Sequence, residues 1–232
     1  MNNMNRLITL FIITIIIIVS CDPQDPTNPS NKTKQQPEGA VDMGLSVLWH
    51  QCNVGASNPE DYGDYYAWGE TETKSHYSWE TYKFGTSFLS VSKYNTQSSR
   101  GTVDNKTTLD LEDDVARVKL GGTWRMPTNA EWKELRNTNN CTWTWTTQNG
   151  VYGRLVTSKK TGNSIFLPAA GYRDKGRLID KGYIGFYWSS SLLEGSPYLA
   201  RFVYFKADSV YTTIDYPNHY RSYGNSVRPV SE

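Results

Sequence analysis

The alternation of apolar and polar residues predicts a domain built mainly of short strands. Residues 141–146 alternate between Cys or Trp and Thr, which is the period-two pattern of a strand with one buried face. Asn149-Gly150 follows as a hairpin signal, and residues 151–158 return as the partner strand. Further strands are predicted at 41–49, 64–68, 164–167, 187–190, 198–205, 209–214 and 226–230, with a polar, irregular segment at 69–102.

The segment 108–119 has the pattern of an amphipathic helix. Leu111, Val115 and Val118 recur at spacings of four and three residues, which places them on one apolar face. Acidic residues crowd the first turns and basic residues the last, which matches the helix dipole. Gly121 and the glycine after it predict the end of this helix.

A second helix is predicted to begin at Thr128. The Thr128 hydroxyl can accept a hydrogen bond from a first-turn amide while Glu131 reaches back, which forms a capping box. Pro127 favours an extended backbone just before it. Trp132 and Leu135 would then face the core.

The first twenty residues have the pattern of a secretory signal. Arg6 is the only charge, and the apolar run 7–19 is shorter than the ~20 residues that span a bilayer. The run ends at Ser20-Cys21, and a cysteine at such a junction resembles the lipobox of bacterial lipoproteins. We therefore predict a signal peptide at 1–20 and lipid attachment at Cys21, with a plain signal peptide or an uncleaved anchor as the alternatives.

Residues 21–38 read as a lipidated cysteine followed by a flexible tether. The stretch is rich in proline and polar residues and cannot bury enough surface to offset its ordering entropy. Asp22 and Asp25 resemble the acidic export signal of surface lipoproteins in Bacteroides-like bacteria. The resemblance implies an outer-membrane lipoprotein exposed on the cell surface, and a periplasm-facing location is the alternative. The folded domain is then predicted to cover 39–232.

The charge balance excludes one class of partner. The chain has 24 basic and 23 acidic residues and no basic run. Such a chain carries no electrostatic footprint for nucleic acid or for anionic lipid. We expect no nucleic-acid partner, membrane contact only through the lipid anchor, and a monomer.

Lipidation of Cys21 leaves two cysteines, Cys52 and Cys141, an even number in an exported protein. A disulfide between them stays open as one alternative. The other is that Cys141, on the Trp-rich strand, is a small buried apolar side chain.

The sequence lacks the local motifs of common enzymes. His50, His76 and His219 are scattered, and no His-Glu-x-x-His, Cys-x-x-Cys or Gly-x-Ser-x-Gly pattern occurs. Glu70 and Glu72 lie in a polar loop, where such neighbours are usually solvated. We predict no catalytic residue and no cofactor.

Acidic residues are concentrated just before the middle of the chain, at Asp110, Glu112, Asp113 and Asp114. Hard cations require several converging oxygen ligands, whereas carboxylates spread along a helix point in different directions. The helix dipole is the simpler explanation, so no metal site is predicted.

Five segments in fixed order carry a resemblance to a known family. They lie at 41–49, 123–132, 166–173, 187–191 and 226–230, and include Trp-Arg-Met-Pro-Thr-Asn-Ala-Glu-Trp and Tyr-Trp-Ser-Ser-Ser. Together they resemble the Fibrobacter succinogenes major paralogous domain, which is common in lipoproteins of Bacteroides-like bacteria. The resemblance implies an α+β fold of the C-type lectin-like and formylglycine-generating enzyme group, with short antiparallel strands, two helices and long loops.

The same resemblance argues against catalysis and against calcium-dependent sugar binding. Formylglycine-generating enzymes use redox-active cysteines late in the domain, and no cysteine follows Cys141. The nearest approach to a calcium-lectin signature, at 216–218, lacks the carboxylate. In the related folds the matching segment leads from a strand into a structural helix, so Arg125, Glu131 and Trp132 are interpreted as scaffold.

A ligand-binding face is predicted in the C-terminal third of the chain. Its proposed residues are Tyr216, His219, Tyr220, Arg221 and Tyr223. Rigid aromatic rings beside small hydrogen-bonding residues are typical of a paratope. The segment also resembles the variable segments of lectin-fold proteins that diversity-generating retroelements target.

The prediction includes a division between surface and support. We expect Tyr216, His219, Tyr220 and Tyr223 to be exposed and close together, while Tyr187 and Trp188 are buried. The alternative is an ordinary polar loop with structural aromatic residues.

These observations predict a lipid-anchored, non-catalytic binding or adhesion protein whose partner is an unidentified glycan or protein. Two other classes stay open. One is an accessory structural subunit of a surface fibre or complex, and the other is an enzyme of the formylglycine-generating group without its thiol site.

Overall fold

The computed structural model of the protein describes residues 36–212 and 219–232. These residues form an α+β arrangement rich in antiparallel sheet, as predicted. The strands are β1 (Ala40–Val41), β2 (Leu48–His50), β3 (Cys141–Gln148), β4 (Val151–Ser158), β5 (Ser164–Pro168), β6 (Tyr172–Asp174), β7 (Arg177–Ile179), β8 (Gly185–Leu192), β9 (Ala200–Lys206), β10 (Ser209–Thr212) and β11 (Val230–Ser231). The helices are α1 (Val115–Leu120) and α2 (Asn129–Arg136), with 3-10 turns at Trp79–Thr81, Ser98–Arg100 and Leu111–Asp113. In this part of the chain, no helix combines the length and apolar character needed to cross a membrane.

The strands of the described residues pair into small antiparallel sheets. Their orders are β1-β2-β11, β3-β4-β5, β10-β9-β8 and β6-β7. Trp49 in β2 lies opposite Val41 on one side and Val230 on the other. The first and last strands of the domain are therefore held against the same central strand.

The β3–β4 hairpin is confirmed. Its eight residue pairs run from Cys141 opposite Ser158 to Gln148 opposite Val151. Asn149 and Gly150 take φ angles of 48° and 81°. Two positive φ angles in succession are what a type I′ turn requires, and this is why Asn-Gly specifies a tight hairpin.

The predicted strand at 41–49 is wrong, because the segment forms a hairpin of β1 and β2 instead. The Asp42 carboxylate accepts a hydrogen bond from the Gly44 amide at 2.7 Å, and Gly44 has a φ of 65°. This local turn interrupts the extended chain. Met43 and Val47 are nevertheless buried, so the apolar residues that suggested a strand do face the core.

The predicted strand at 64–68 is also wrong. Only Tyr66 pairs, through an isolated bridge to Asn225. In contrast, the hairpin of β6 and β7 was not predicted, because its three-residue strands are too short to show an alternating pattern. Its turn contains Lys175 at a φ of 53°, which a sequence reading does not anticipate for lysine.

The predicted helix at 108–119 is confirmed only in its second half. The chain makes a 3-10 turn, becomes extended at Asp114 and then enters α1, where the Asp114 carboxylate accepts from two first-turn amides. This break changes the helical phase. Val115 is buried, but Leu111 and Val118 are 56% and 47% exposed, so the predicted apolar face of three residues is wrong. The end at Gly121 is confirmed, with a φ of 67°.

Helix α2 agrees closely with the sequence prediction. Thr128 and Glu131 form the capping box, and Trp132 and Leu135 are buried. Arg125 donates to Glu131 through both terminal nitrogens, at 2.9 and 2.6 Å. The interpretation of Arg125, Glu131 and Trp132 as scaffold is therefore supported by their contacts.

Two clusters of buried side chains fill the domain. The larger cluster contains Trp68 and Trp188, and the smaller contains Trp49 and Trp132. The smaller cluster also contains Cys141. Cys52 and Cys141 are free, buried thiols and form no disulfide with each other, so the disulfide alternative is wrong.

Candidate functional site

The proposed ligand-binding residues divide into buried and partly exposed groups. His219 is 1% exposed and Arg221 is fully buried, so the expectation that His219 is exposed is wrong, and neither side chain lies on the surface. Tyr220 and Tyr223 are partly exposed. Tyr216 lies outside the described residues.

His219 is enclosed by aromatic rings. It stacks on Phe186 with ring centroids 4.8 Å apart and planes 7° apart, and its Nε2 donates to Asn225 Oδ1 at 2.8 Å. Burial lowers the pKa of His219 to about 3, although the hydrogen bond to Asn225 opposes this shift. The imidazole is therefore neutral near neutral pH, and it supports the fold rather than exchanging protons with a ligand.

This burial predicts a pH dependence of stability. The folded-state pKa of His219 is about 3 and its ordinary value is 6.5, so between these values only the unfolded chain takes up the proton. The contribution is complete above the ordinary value and is lost as the pH falls toward 3, by at most about 1.4 kcal/mol per pH unit. Urea unfolding at neutral pH and at about pH 5 should show a smaller loss in His219→Gln than in the wild type.

The wild type and His219→Gln must be compared because His50 contributes a similar pH dependence of stability to both proteins. Burial also lowers the pKa of His50. If His219→Gln and the wild type lose the same free energy between the two pH values, His219 is not neutral and buried in solution.

Arg221 anchors the C-terminal segment from beneath. Its guanidinium donates to the carbonyls of Lys93 at 2.7 Å, Pro197 at 2.9 Å and Tyr94 at 3.0 Å. The Phe84 carbonyl lies at 3.5 Å from the same group. Burial lowers the pKa of Arg221. The side chain therefore ties two separate loops, one at 84–94 and one at Pro197, to the segment that carries Tyr220 and Tyr223.

The tyrosines that remain partly exposed belong to a longer row of rings, which we name the tyrosine ridge. Tyr220 lies 5.6 Å from Tyr223, 6.2 Å from Tyr198 and 6.0 Å from Trp79 between ring centroids. Phe88 extends the row, 6.1 Å from Tyr198, and is 43% exposed. The predicted burial of Tyr187 and Trp188 is confirmed, since both are fully buried.

Sequence reasoning missed two members of the tyrosine ridge, Trp79 and Phe88. They precede Tyr220 by more than a hundred residues and lie in the segment that reads as polar and irregular. Arg100 also joins the row, with its guanidinium carbon 4.7 Å from the centre of the Tyr198 ring. Only the folding of the 69–102 segment against the C-terminal residues brings these rings together.

The acidic residues of 110–113 converge, contrary to the expectation that they point apart. Carboxylate oxygens of Asp110, Glu112 and Asp113 lie within 4.8 Å of one another. The Lys93 ammonium occupies the space among them, 2.7 Å from Asp110 and 2.6 Å from Asp113. Burial alone would lower the pKa of Lys93, but these hydrogen bonds outweigh it and raise the pKa. The cluster is therefore a set of ion pairs around Lys93 that holds the loop.

Glu70 and Glu72 also differ from the expected solvated pair. Glu70 is 8% exposed, accepts from the Lys83 amide at 2.8 Å and pairs with Lys74 at 2.7 Å. Glu72 is exposed and pairs with Lys119 at 2.8 Å. The two carboxylates therefore serve different local contacts.

The two cysteine thiols are poor nucleophiles. Burial raises the pKa of Cys52 and of Cys141, so both stay protonated near neutral pH. The thiolate is the reactive form of cysteine, and these side chains hold little of it.

A second aromatic surface lies outside the C-terminal segment, and we name it the aromatic cleft. It is an open cavity of about 740 Å³ beside the β3–β4 hairpin, the β9–β10 turn and residues 181–184. The side chains that line it include Trp145, Tyr152, Lys181, Tyr183, Lys206 and Asp208. The sequence pattern marked Trp145 only as part of a half-buried strand.

Both surfaces offer ring faces, hydroxyl groups and cationic nitrogens, which suit reversible recognition of a ligand. Of the histidines and cysteines among the described residues, His219, Cys52 and Cys141 are buried, whereas His76 is exposed and His50 is partly exposed. Comparison of the chain with family models, with curated proteins and with solved structures finds no match.

Proposed function

We propose that this is a lipid-anchored cell-envelope protein whose domain binds an unidentified glycan or protein, or mediates adhesion, without catalysing a reaction. The observation that carries the proposal is the tyrosine ridge, a row of aromatic rings whose backbone is held by the buried residues His219 and Arg221. The five family-like segments, together with the sheet-rich α+β arrangement, support a C-type lectin-like fold. The signal pattern and Cys21 support an outer-membrane anchor, and Asp22 and Asp25 support display on the cell surface.

The proposed recognition depends on a rigid, buried support and on the aromatic surface that it presents to solvent. Tyr220 lies between two buried neighbours, His219 and Arg221, which fix its backbone. A tyrosine has only two side-chain torsions, so contact with a ligand costs little entropy. Because the base is already ordered, little binding free energy is lost to rearrangement.

The burial of His219, Cys52 and Cys141 supports the non-catalytic part of the proposal. A neutral His219 packed between rings has no route to a substrate on the surface. The protonated thiols of Cys52 and Cys141 are likewise enclosed. The proposal therefore assigns these groups to the stability of the fold.

The ridge can be tested once a glycan array or a surface-protein screen with the full chain identifies a ligand. We expect Tyr220→Ala and Tyr223→Ala each to weaken binding at least about tenfold, because truncating a central aromatic contact typically costs about 2 kcal/mol. Both rings are partly exposed, so their effect on melting should be small beside that of a core substitution. Leu111→Ala is the control, since Leu111 is 56% exposed and lies outside both the ridge and the aromatic cleft. Unchanged affinity in both ridge variants would remove the ridge from the proposed function.

Lipid attachment is tested at Cys21. We expect Cys21→Ser to abolish incorporation of a labelled fatty acid and to release the protein from the membrane fraction, because several acyl chains are needed for stable anchoring. Cys52→Ser is the control, because Cys52 is buried within the domain and is not a lipidation candidate. Labelling that persists in Cys21→Ser would overturn the lipoprotein assignment.

A further inference from the structure

One face of the β3–β4 hairpin packs against the buried core at one end and lines the aromatic cleft at the other end. Trp145 lies opposite Arg154 in the β3–β4 ladder, and Tyr152 lies two residues from Arg154. Trp145 and Tyr152 are therefore diagonal neighbours on one face of the hairpin. Cys141, on the same face and nearer the start of β3, is packed in the smaller buried cluster. This face therefore extends beyond the buried cluster that packs on it, and Tyr152 is 52% exposed.

The rings of the cleft are held in place before any ligand arrives. Trp145 and Tyr152 stack with centroids 6.1 Å apart and planes 13° apart. The Arg154 guanidinium lies 5.9 Å from the Trp145 ring and is 7% exposed. It donates to the carbonyls of Trp143 at 2.7 Å and Lys206 at 2.8 Å. These bonds join the hairpin to the β9–β10 turn, so two walls of the cleft are fixed to each other.

The loop that carries Tyr183 is held by main-chain hydrogen bonds. The Gly182 amide donates to the Ala169 backbone carbonyl at 2.7 Å, and the Tyr183 amide donates to the Asp180 backbone carbonyl at 3.0 Å. The Tyr183 side chain is nevertheless 75% exposed, the largest exposed fraction among the large apolar and aromatic side chains of the described residues. A ring displayed on a fixed loop is suited to contact with a ligand.

The charge of the cleft favours an anion. Lys206 pairs with Asp208 at 3.5 Å, whereas Lys181 forms no ion pair with any described residue. The Lys181 ammonium lies 4.8 Å from the centre of the Tyr62 ring. Two lysines against one carboxylate leave a net positive lining, and Lys181 lies two residues before Tyr183 in the sequence.

We propose that the aromatic cleft is a second binding site, and that its ligand is an anionic oligosaccharide carrying carboxylate or sulfate groups. A sugar ring has an apolar face of C–H groups that packs against the negative face of an aromatic ring. Its hydroxyl and acidic groups project from the edge, where Lys181 and the Tyr183 hydroxyl can meet them. An acidic oligosaccharide in the cleft can therefore contact both the rings and Lys181.

Other anions fit the cleft less well. The Trp145 and Tyr152 rings already stack on each other, so a nucleotide base cannot enter between them. One unpaired lysine is too little charge for the phosphate backbone of a nucleic acid. An acidic peptide would pair with Lys181 but would leave the broad ring faces uncovered.

The test uses the full chain in detergent micelles, titrated with a short oligogalacturonate and separately with its fully methyl-esterified form. The ester keeps the C–H faces and removes the negative charge. We expect the acid to bind at least about tenfold more tightly than the ester, because a charge-assisted contact is lost. Affinity for the acid should also fall as the salt concentration rises. A chondroitin sulfate oligosaccharide tests whether sulfate replaces carboxylate.

Variants then locate the site. Lys181→Gln should remove the preference for the acid over the ester, and Tyr183→Ala should weaken both ligands at least about tenfold. Both side chains are exposed, so neither variant should lower the melting temperature. Lys133→Gln is the matched lysine control on the exposed side of α2, and Tyr220→Ala tests the ridge separately.

The outcomes separate this proposal from the function of the ridge. Loss of oligogalacturonate binding in Lys181→Gln and Tyr183→Ala, with binding retained in Lys133→Gln and Tyr220→Ala, supports the cleft whatever the ridge recognises. Equal binding of acid and ester, no binding by either anionic oligosaccharide at millimolar concentration, or loss only in Tyr220→Ala overturns it. Tighter competition by a poly-glutamate peptide or a mononucleotide than by the oligosaccharides overturns the saccharide assignment.

Discussion

Trp132→Ala is expected to lower the free energy of unfolding by about 3–5 kcal/mol, the range for truncating a buried aromatic side chain. Trp132 is 1% exposed, and its indole N–H donates to the Trp188 carbonyl at 3.1 Å. Its ring packs 4.8 Å from Trp49 and 5.9 Å from Tyr187 between centroids. The variant would leave a cavity between α2 and the sheets and an unpaired buried carbonyl.

The loss should appear as a fall in melting temperature on the order of 10 °C for a domain of this size. Thermal unfolding followed by circular dichroism measures it. Trp79→Ala is the matched control, because Trp79 is only partly buried on the tyrosine ridge and its truncation should cost much less. A near-neutral shift for Trp132→Ala would show that this ring is not part of the core.

Arg221→Met should destabilise the domain by a similar amount, about 3–5 kcal/mol, because backbone carbonyls that accept from the guanidinium lose their donor. The methionine fills much of the volume but cannot donate to the carbonyls of Lys93, Tyr94 and Pro197. Each buried carbonyl left without a donor costs about 1–3 kcal/mol. The gain from no longer burying a cation offsets only part of this loss.

Arg221→Lys should not rescue the loss, because a single ammonium cannot reach carbonyls that a planar guanidinium spans. Arg201→Met is the matched control on β9, where the side chain is only partly buried. Urea unfolding of the three variants provides the comparison. If Arg221→Met is as stable as Arg201→Met, the carbonyl contacts of Arg221 do not stabilise the fold.

The same variant connects stability to recognition. Arg221 holds the backbone on one side of Tyr220, so its loss should loosen the tyrosine ridge as well as the core. Ligand binding should then weaken in Arg221→Met even at temperatures where the domain remains folded. In this account Arg221 positions the ridge and does not contact the ligand.

Local features of this protein follow from the sequence because their causes are local. The Asn149-Gly150 turn needs two positive φ angles, and the strands on either side carry a period-two pattern. The α2 capping box needs only Thr128 and Glu131 at the right spacing. These interactions span a few residues, so the order of the residues is sufficient to specify them.

Where a distant partner competes with the local pattern, the sequence prediction fails. Leu111 belongs to an apolar helical stripe, but Asp114 ends the 3-10 turn and caps α1, also accepting the Met126 amide at 2.8 Å. His219 lies in a segment whose composition is that of a surface loop, but it is buried, where it stacks on Phe186 and hydrogen-bonds to Asn225. Neither partner can be identified from spacing along the chain.

The hairpin, the second helix, the aromatic richness and the near-neutral charge follow from the amino-acid sequence alone. The folded arrangement of the chain is needed to know which aromatic rings reach the surface and which of them become neighbours. It placed Trp79 beside Tyr220, and it brought Tyr183 to the same cleft as Trp145 and Tyr152. Binding surfaces depend on contacts between residues far apart in the chain, and such contacts are set by the packing of the whole domain.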